Sequence, residues 1–191
     1  MKFITITAWL TASMLADADE KVAVKAVSGR FEVTQEYHED FLETVRFLSP
    51  ELPSVVLSGY SWAGLYNISP DEHWFLRTQK TGSGDNVAML YHIEDNGRVS
   101  EILGFDDSLW KASDVLSRLK KSELYHTGVI AVTWAADSCS LKIIIRGSNA
   151  AKSGDGIEAK LVYDLKSNKV VIKDKISEQD AGQPATRSKS K

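Results

Sequence analysis

Apolar and polar residues alternate with a period of two through most of this chain, which predicts strands. Val22, Val24 and Ala26 alternate with Ala23 and Lys25 before Ser28-Gly29 interrupts the run. Phe31, Val33 and Gln35, set against Arg30, Glu32 and Thr34, continue the period and predict a strand over about 30–37. Residues 41–48 fit two templates, a helical stripe (Phe41, Leu42, Val45, Leu48) and a strand face (Phe41, Val45, Phe47) broken by Glu43. The segment is assigned as a strand, entered through His38-Glu39-Asp40 and ended by Pro50 and Pro53. Shorter candidates at 55–57 and 65–68 surround Gly59 and Gly64.

The densest patterning lies between Ser69 and Ile93. Pro70 and Asp71 make a turn, 73–79 a strand, and Thr81-Gly82-Ser83-Gly84-Asp85-Asn86 a second turn with glycines able to take positive φ. Residues 87–93 are apolar on both faces (Val87, Met89, Tyr91, Ile93; Ala88, Leu90), which predicts a strand covered on both sides. Asp95-Asn96-Gly97 then turns the chain into 99–103. The period changes over 107–121, where Leu109, Ala112, Leu116 and Leu119 share one face beside Val115. Asp106, Asp107 or Ser108 can cap its start and Lys120-Lys121 suits its end, so a helix is expected.

A looser copy of the unit follows. Val132-Thr133-Trp134-Ala135-Ala136-Asp137-Ser138 stands where Tyr66-Asn67-Ile68-Ser69-Pro70-Asp71-Glu72 stood, and 141–146 replaces the first strand. Ser153-Gly154-Asp155-Gly156 replaces Ser83-Gly84-Asp85-Asn86. Ile157, Ala159, Leu161 and Tyr163 alternate with Glu158, Lys160, Val162 and Asp164, predicting a strand with one wetter face. Ser167-Asn168 turns into a last strand at 170–172. The fold class is therefore mainly β, antiparallel meanders in two units (63–103 and 129–174), packed as a partial propeller or a sandwich, with one helix near 107–121.

Composition and the chain ends narrow the setting. With 43% hydrophobic and 26% charged residues, 19–176 reads as a single β-rich globular domain. The formal charge of −3 supplies no field to draw the chain to nucleic acid. Lys2, the apolar run 3–15 and Ala16-Asp17-Ala18 are laid out as a secretory signal peptide cleaved after Ala18. That run is too short to span a bilayer, so the mature chain is expected in the periplasm or secreted, without a membrane span. Cys139 is the single cysteine, which excludes an intramolecular disulfide. Residues 177–191 have little to bury and read as a disordered tail.

The stretch Ile68-Ser69-Pro70-Asp71-Glu72-His73-Trp74-Phe75-Leu76, with its second strand ending Leu90-Tyr91-His92-Ile93, resembles a blade of the WD-like β-propeller repeats of TolB-type periplasmic proteins. Thr133-Trp134-Ala135-Ala136-Asp137-Ser138 through Val162-Tyr163-Asp164-Leu165 is similar but lacks the proline. The resemblance implies that Asp71 and Asp137 organise turns between strands and that the strands form antiparallel meanders. Two copies are fewer than the roughly four blades a closed propeller needs.

Chemical motifs are incomplete. Gly59-Tyr60-Ser61-Trp62-Ala63 approaches a nucleophile elbow but has alanine for the second glycine and no βαβ context. Lys80-Thr81-Gly82 and Ser117-Arg118-Leu119-Lys120 match β-lactamase elements in inverted order. The histidines 38, 73, 92 and 126 have no metal-ligand spacing. The loops at Asp85-Asn86 and Asp155 carry calcium-type oxygens, but turn chemistry accounts for them, and no metal or cofactor is expected. Two classes of function remain: a non-catalytic module binding an envelope protein or glycan, or a small exported hydrolase. Convergence of Asp71, Asp85, His73, His92, His126 and Asp155 on one pocket would favour the hydrolase. An exposed aromatic patch at Tyr60, Trp62 and Tyr66, beside loops at Asp85, Asn86 and Asp155, would favour the module.

Overall fold

The computed structural model describes residues 20–114, 120–149 and 156–176. The expected signal peptide, the C-terminal tail and Asp155 lie outside the described residues. Among the described residues twelve strands form three four-stranded antiparallel sheets, each a meander in chain order. The first holds β1 (Lys21–Lys25), β2 (Phe31–Tyr37), β3 (Phe41–Phe47) and β4 (Val55–Tyr60). The second holds β5 (Leu65–Ile68), β6 (Trp74–Lys80), β7 (Asn86–Ile93) and β8 (Val99–Glu101). After helix α1 (Phe105–Asp114), the third holds β9 (Leu124–Trp134), β10 (Ser140–Asn149), β11 (Gly156–Asp164) and β12 (Lys169–Ile176).

The second sheet is the middle layer, as the doubly apolar pattern of 87–93 predicts. Phe75, Tyr91 and Ile93 pack with Phe31, Val33, Val45, Phe47 and Leu57 of the first sheet. Leu76, Ala88 and Leu90 pack on the other side with Leu141, Ile143, Ile145, Leu161 and the helix residues Phe105, Leu109 and Trp110. Burying a large apolar side chain contributes roughly 1.5–3 kcal/mol, so these two seams hold the layers together. The third sheet keeps the wetter outer face its alternation implies, with Lys142 and Lys160 exposed.

The helix differs from expectation. It starts at Phe105 rather than near 107, and a short 3-10 turn occupies Lys121–Glu123, where the helix was expected to end; 115–119 lie outside the described residues. The cause is Asp106. The strand β8 is only three residues long, which leaves the Ala88 N–H of β7 without a ladder partner. The Asp106 carboxylate accepts that N–H at 3.0 Å and takes the Lys121 ammonium at 2.7 Å, so it serves the sheet instead of capping the helix.

The turn at Asp71 occurs three times, not twice. Ala26, Ser69 and Ala135 each donate N–H to the carbonyl five residues on and accept from the N–H three residues on. That third residue has positive φ in every copy: Gly29, Glu72 and Ser138. The residue before it folds its side chain onto the backbone two positions ahead. Asp71 accepts from His73 N–H (3.2 Å), Asp137 from Cys139 N–H (3.0 Å), and Ser28 from Arg30 N–H (3.1 Å). The copies are also bonded to one another. Ser28 N–H donates to the Glu72 carboxylate at 2.7 Å, and Asp71 N–H donates to Ser138 Oγ at 3.0 Å. The first two turns thus each give a backbone proton to the positive-φ side chain of the next sheet.

Candidate binding site

The meander topology puts the three equivalent turns at one end of the sheets. The loops after β2, β4 and β6 come together at the other. Tyr60 and Trp62 lie at this second end, and so do Asp85 and Asn86.

At this end two strands point charges of opposite sign into the seam between the first and second sheets. Glu43 and Arg77, both with fully buried side chains, form an ion pair there. Burying such a pair is tolerable only if the remaining lone pairs and protons are satisfied. Glu43 accepts from Gln35 Nε2 (2.6 Å), Gly64 N–H (2.6 Å) and the Tyr66 hydroxyl (2.5 Å). Arg77 donates through Nη1 to the Ser58 carbonyl at 2.9 Å, while its buried Nε has no hydrogen-bond partner among the described residues. Burial is the main reason the Tyr66 hydroxyl is pushed far above the usual tyrosine range, and its bond to Glu43 adds to the effect; the opposing pull of Arg77 is outweighed. Gly64 is required here, because a Cβ would lie 2.9 Å from Arg77 Nε and 3.1 Å from both Glu43 oxygens.

Aromatic side chains sit on this network. Tyr37, Phe41 and Tyr60 are ladder partners across β2, β3 and β4, and the rings of Tyr37 and Phe41 are 5.0 Å apart. The Arg77 guanidinium lies 4.9 Å from the Tyr60 ring centre. Trp62 follows, its carbonyl held by Gln79 Nε2 at 2.8 Å and its ring covered on one side by the Lys80 ammonium at 5.1 Å. Ser61 Oγ donates to Asp40 at 2.9 Å, tying this loop to the β2–β3 hairpin. Tyr37 is 56% and Trp62 42% exposed, so the ledge offers flat aromatic faces to solvent on a fixed base. Tyr66 does not join it, because its hydroxyl is turned inward to Glu43.

The loop residues Asp85 and Asn86 are occupied internally. Asp85 Oδ1 accepts from Thr127 N–H (2.7 Å) and Oγ1 (3.1 Å). The Asn86 amide exchanges two bonds with the Val129 backbone, accepting its N–H at 2.8 Å and donating to its carbonyl at 3.3 Å. The two side chains clamp β9 to the second sheet. Gly128 admits the clamp, since a Cβ there would be 2.2 Å from Asn86.

No protein-family model and no curated protein matches this chain. Its chemistry is therefore read from the side chains alone.

The structure separates the ionisable residues on which the hydrolase reading depends. Asp71 and His73 share a turn at one end, and the His92 ring lies 4.4 Å from Trp74. Asp85 lies at the opposite end, where His126 packs against Gly84 of its loop. The near-elbow serine, Ser61, sits in a loop between β4 and β5 rather than before a helix. Sequence reading picked out Tyr60 and Trp62 but missed Tyr37, Phe41, Lys80, Glu43 and Arg77. One signal was available for the last two: an acid and a base that share the parity of core residues, Glu43 with Val45 and Phe47, and Arg77 with Phe75.

Proposed function

We propose that this chain is a non-catalytic, exported β-repeat module that binds a glycan of the cell envelope. The three meanders are blade-like units in the sense of the TolB-type repeats. The ligand face is the ledge of Tyr37, Phe41, Tyr60 and Trp62. The observation that carries this reading is the exposed indole of Trp62, whose backbone carbonyl is fixed by Gln79 and whose ring is covered on one side by Lys80. Rigid aromatic faces bury large area at low entropic cost, and the axial C–H groups of a pyranose ring are a flat apolar partner for them. Asp40 and Lys80 at the rim supply the polar contacts that sugar hydroxyls need.

Calorimetric titration of the folded protein with soluble peptidoglycan fragments and with cello-oligosaccharides tests the reading. Binding to one of the two series is expected, and Trp62→Ala should weaken it by tenfold or more, about 1.4 kcal/mol. The melting temperature should stay unchanged, because the indole is partly exposed. Wild-type protein that binds neither series, or a Trp62→Ala variant that binds as wild type, overturns it.

A further inference from the structure

We propose that Tyr125 and His126 form a second sugar-binding platform, which takes the further rings of a glycan already seated on the ledge at Trp62. The inference rests on the glycan reading above and extends it to the length of the ligand.

The pair stands where the start of β9 departs from its ladder. Tyr125 is opposite Ser148 and Gly128 is opposite Arg146, so two residues of β9, His126 and Thr127, face only Gly147 of β10. A bulge of this kind re-aims a side chain and is common next to active sites. His126 is held there at φ 52°, a left-handed conformation that a residue with a side chain keeps only where its surroundings enforce it. The clamp from the second sheet does so. Asp85 Oδ1 accepts the Thr127 N–H at 2.7 Å and Asn86 Oδ1 accepts the Val129 N–H at 2.8 Å, which pins the strand just after His126. The imidazole itself lies against Gly84, where a Cβ would stand 2.5 Å from His126 Cδ2. A bulge that served packing alone would turn its rings inward. This one holds them out: the ring centres of Tyr125 and His126 are 4.5 Å apart, both residues are exposed, and Tyr125 is 42% accessible.

The position of the pair relative to Trp62 follows from Lys80 and the loop after it. Lys80 covers one side of the Trp62 ring and is the ladder partner of Asn86. The loop between them, 81–85, carries Gly84 beneath His126. The two platforms therefore flank one short loop. Trp62 is tied to the second sheet through Gln79 and the pair belongs to the third, and packed sheets stand about 10 Å apart. That is more than one pyranose ring covers. A disaccharide on Trp62 engages the ledge alone, whereas a longer chain reaches both sets of flat apolar faces. The second contact is then intramolecular, so affinity rises with chain length.

Calorimetric titration of the full-length protein with the disaccharide and the hexasaccharide of the peptidoglycan and cello-oligosaccharide series tests this. In the series that binds, the hexasaccharide should bind about tenfold tighter than the disaccharide, or more. Tyr125→Ala should leave disaccharide binding unchanged and bring the hexasaccharide to within about threefold of it. Trp62→Ala should weaken both. His126→Gly keeps the clamp and suits the positive φ, so its melting temperature should hold or rise while part of the gain with length is lost. That variant decides the matter if Tyr125→Ala does not fold. Disaccharide binding that depends on Trp62 but gains nothing with length overturns the second platform and leaves the ledge reading standing. A gain that survives in both variants does the same. Binding of neither length overturns the ledge reading and this proposal with it.

Discussion

Glu43 and Arg77 depend on each other, because each is wholly buried and neutralised by the other. Removing one partner leaves an uncompensated charge in the seam, so Glu43→Ala or Arg77→Ala should each cost about 3–5 kcal/mol in urea titrations. The double variant Glu43→Leu with Arg77→Met should lose less than either single change, since a packed apolar pair requires no desolvation of charge. The tyrosines in the same seam give the protein an alkaline limit. Burial, followed by the neighbouring Glu101, pushes the Tyr91 hydroxyl up to about 12, whereas an unfolded tyrosine titrates near about 10. Between these values the unfolded chain binds fewer protons than the folded one, so stability falls as pH rises through that window. Below pH 10 the contribution is fully present. Melting temperatures measured from pH 9 to 12 should fall more steeply for the wild type than for Tyr91→Phe.

At the scale of elements, the recurring turn predicts graded losses. Asp71→Ala and Asp137→Ala each remove a carboxylate that satisfies a backbone N–H, a change worth about 1 kcal/mol at comparable caps. Asp71 should cost more, because its Oδ1 also accepts from Ser69 Oγ at 2.6 Å. Equal losses in denaturant titrations would contradict this ordering. The turn also shows what could be read from sequence and what could not. Its second and third copies are legible, because an aspartate before a strand announces itself. The first copy uses Ser28 and Gly29, which read as a mere interruption, although they make the same bonds. Strand positions followed from the period of two almost throughout. The helix start did not, because Asp106 is drawn to a β7 amide eighteen residues away in sequence. The clamp of Asp85 on Thr127 spans 42 residues, so no local pattern could distinguish it from a free binding loop. The aromatic ledge was half legible for the same reason: Tyr60 and Trp62 are close in sequence, while Tyr37, Phe41 and Lys80 arrive from other strands.

For the molecule as a whole, the layer order sets where local opening can occur. Strands β6 and β7 are covered on both faces, whereas β1 is a short edge strand with mostly exposed residues. Native-state hydrogen exchange should therefore be slowest at Leu90 and Tyr91, which exchange only through global unfolding, and fastest along β1. Protection of β1 equal to that of β7 would contradict this order. The middle position of the second sheet also bears on how the sequence can drift. Along β3, β10 and β11 of the outer sheets alternate residues face outward, and about half of those positions can accept substitution. Along β6 and β7 neither parity is free, since Phe75 and Leu76, or Leu90 and Tyr91, are consecutive residues committed to opposite seams. In a library of single substitutions, tolerated changes would rise and fall with every second residue along those three strands. Between Trp74 and Ile93 that rhythm would vanish, leaving the turn at 81–83 as the one interval where the middle sheet can vary.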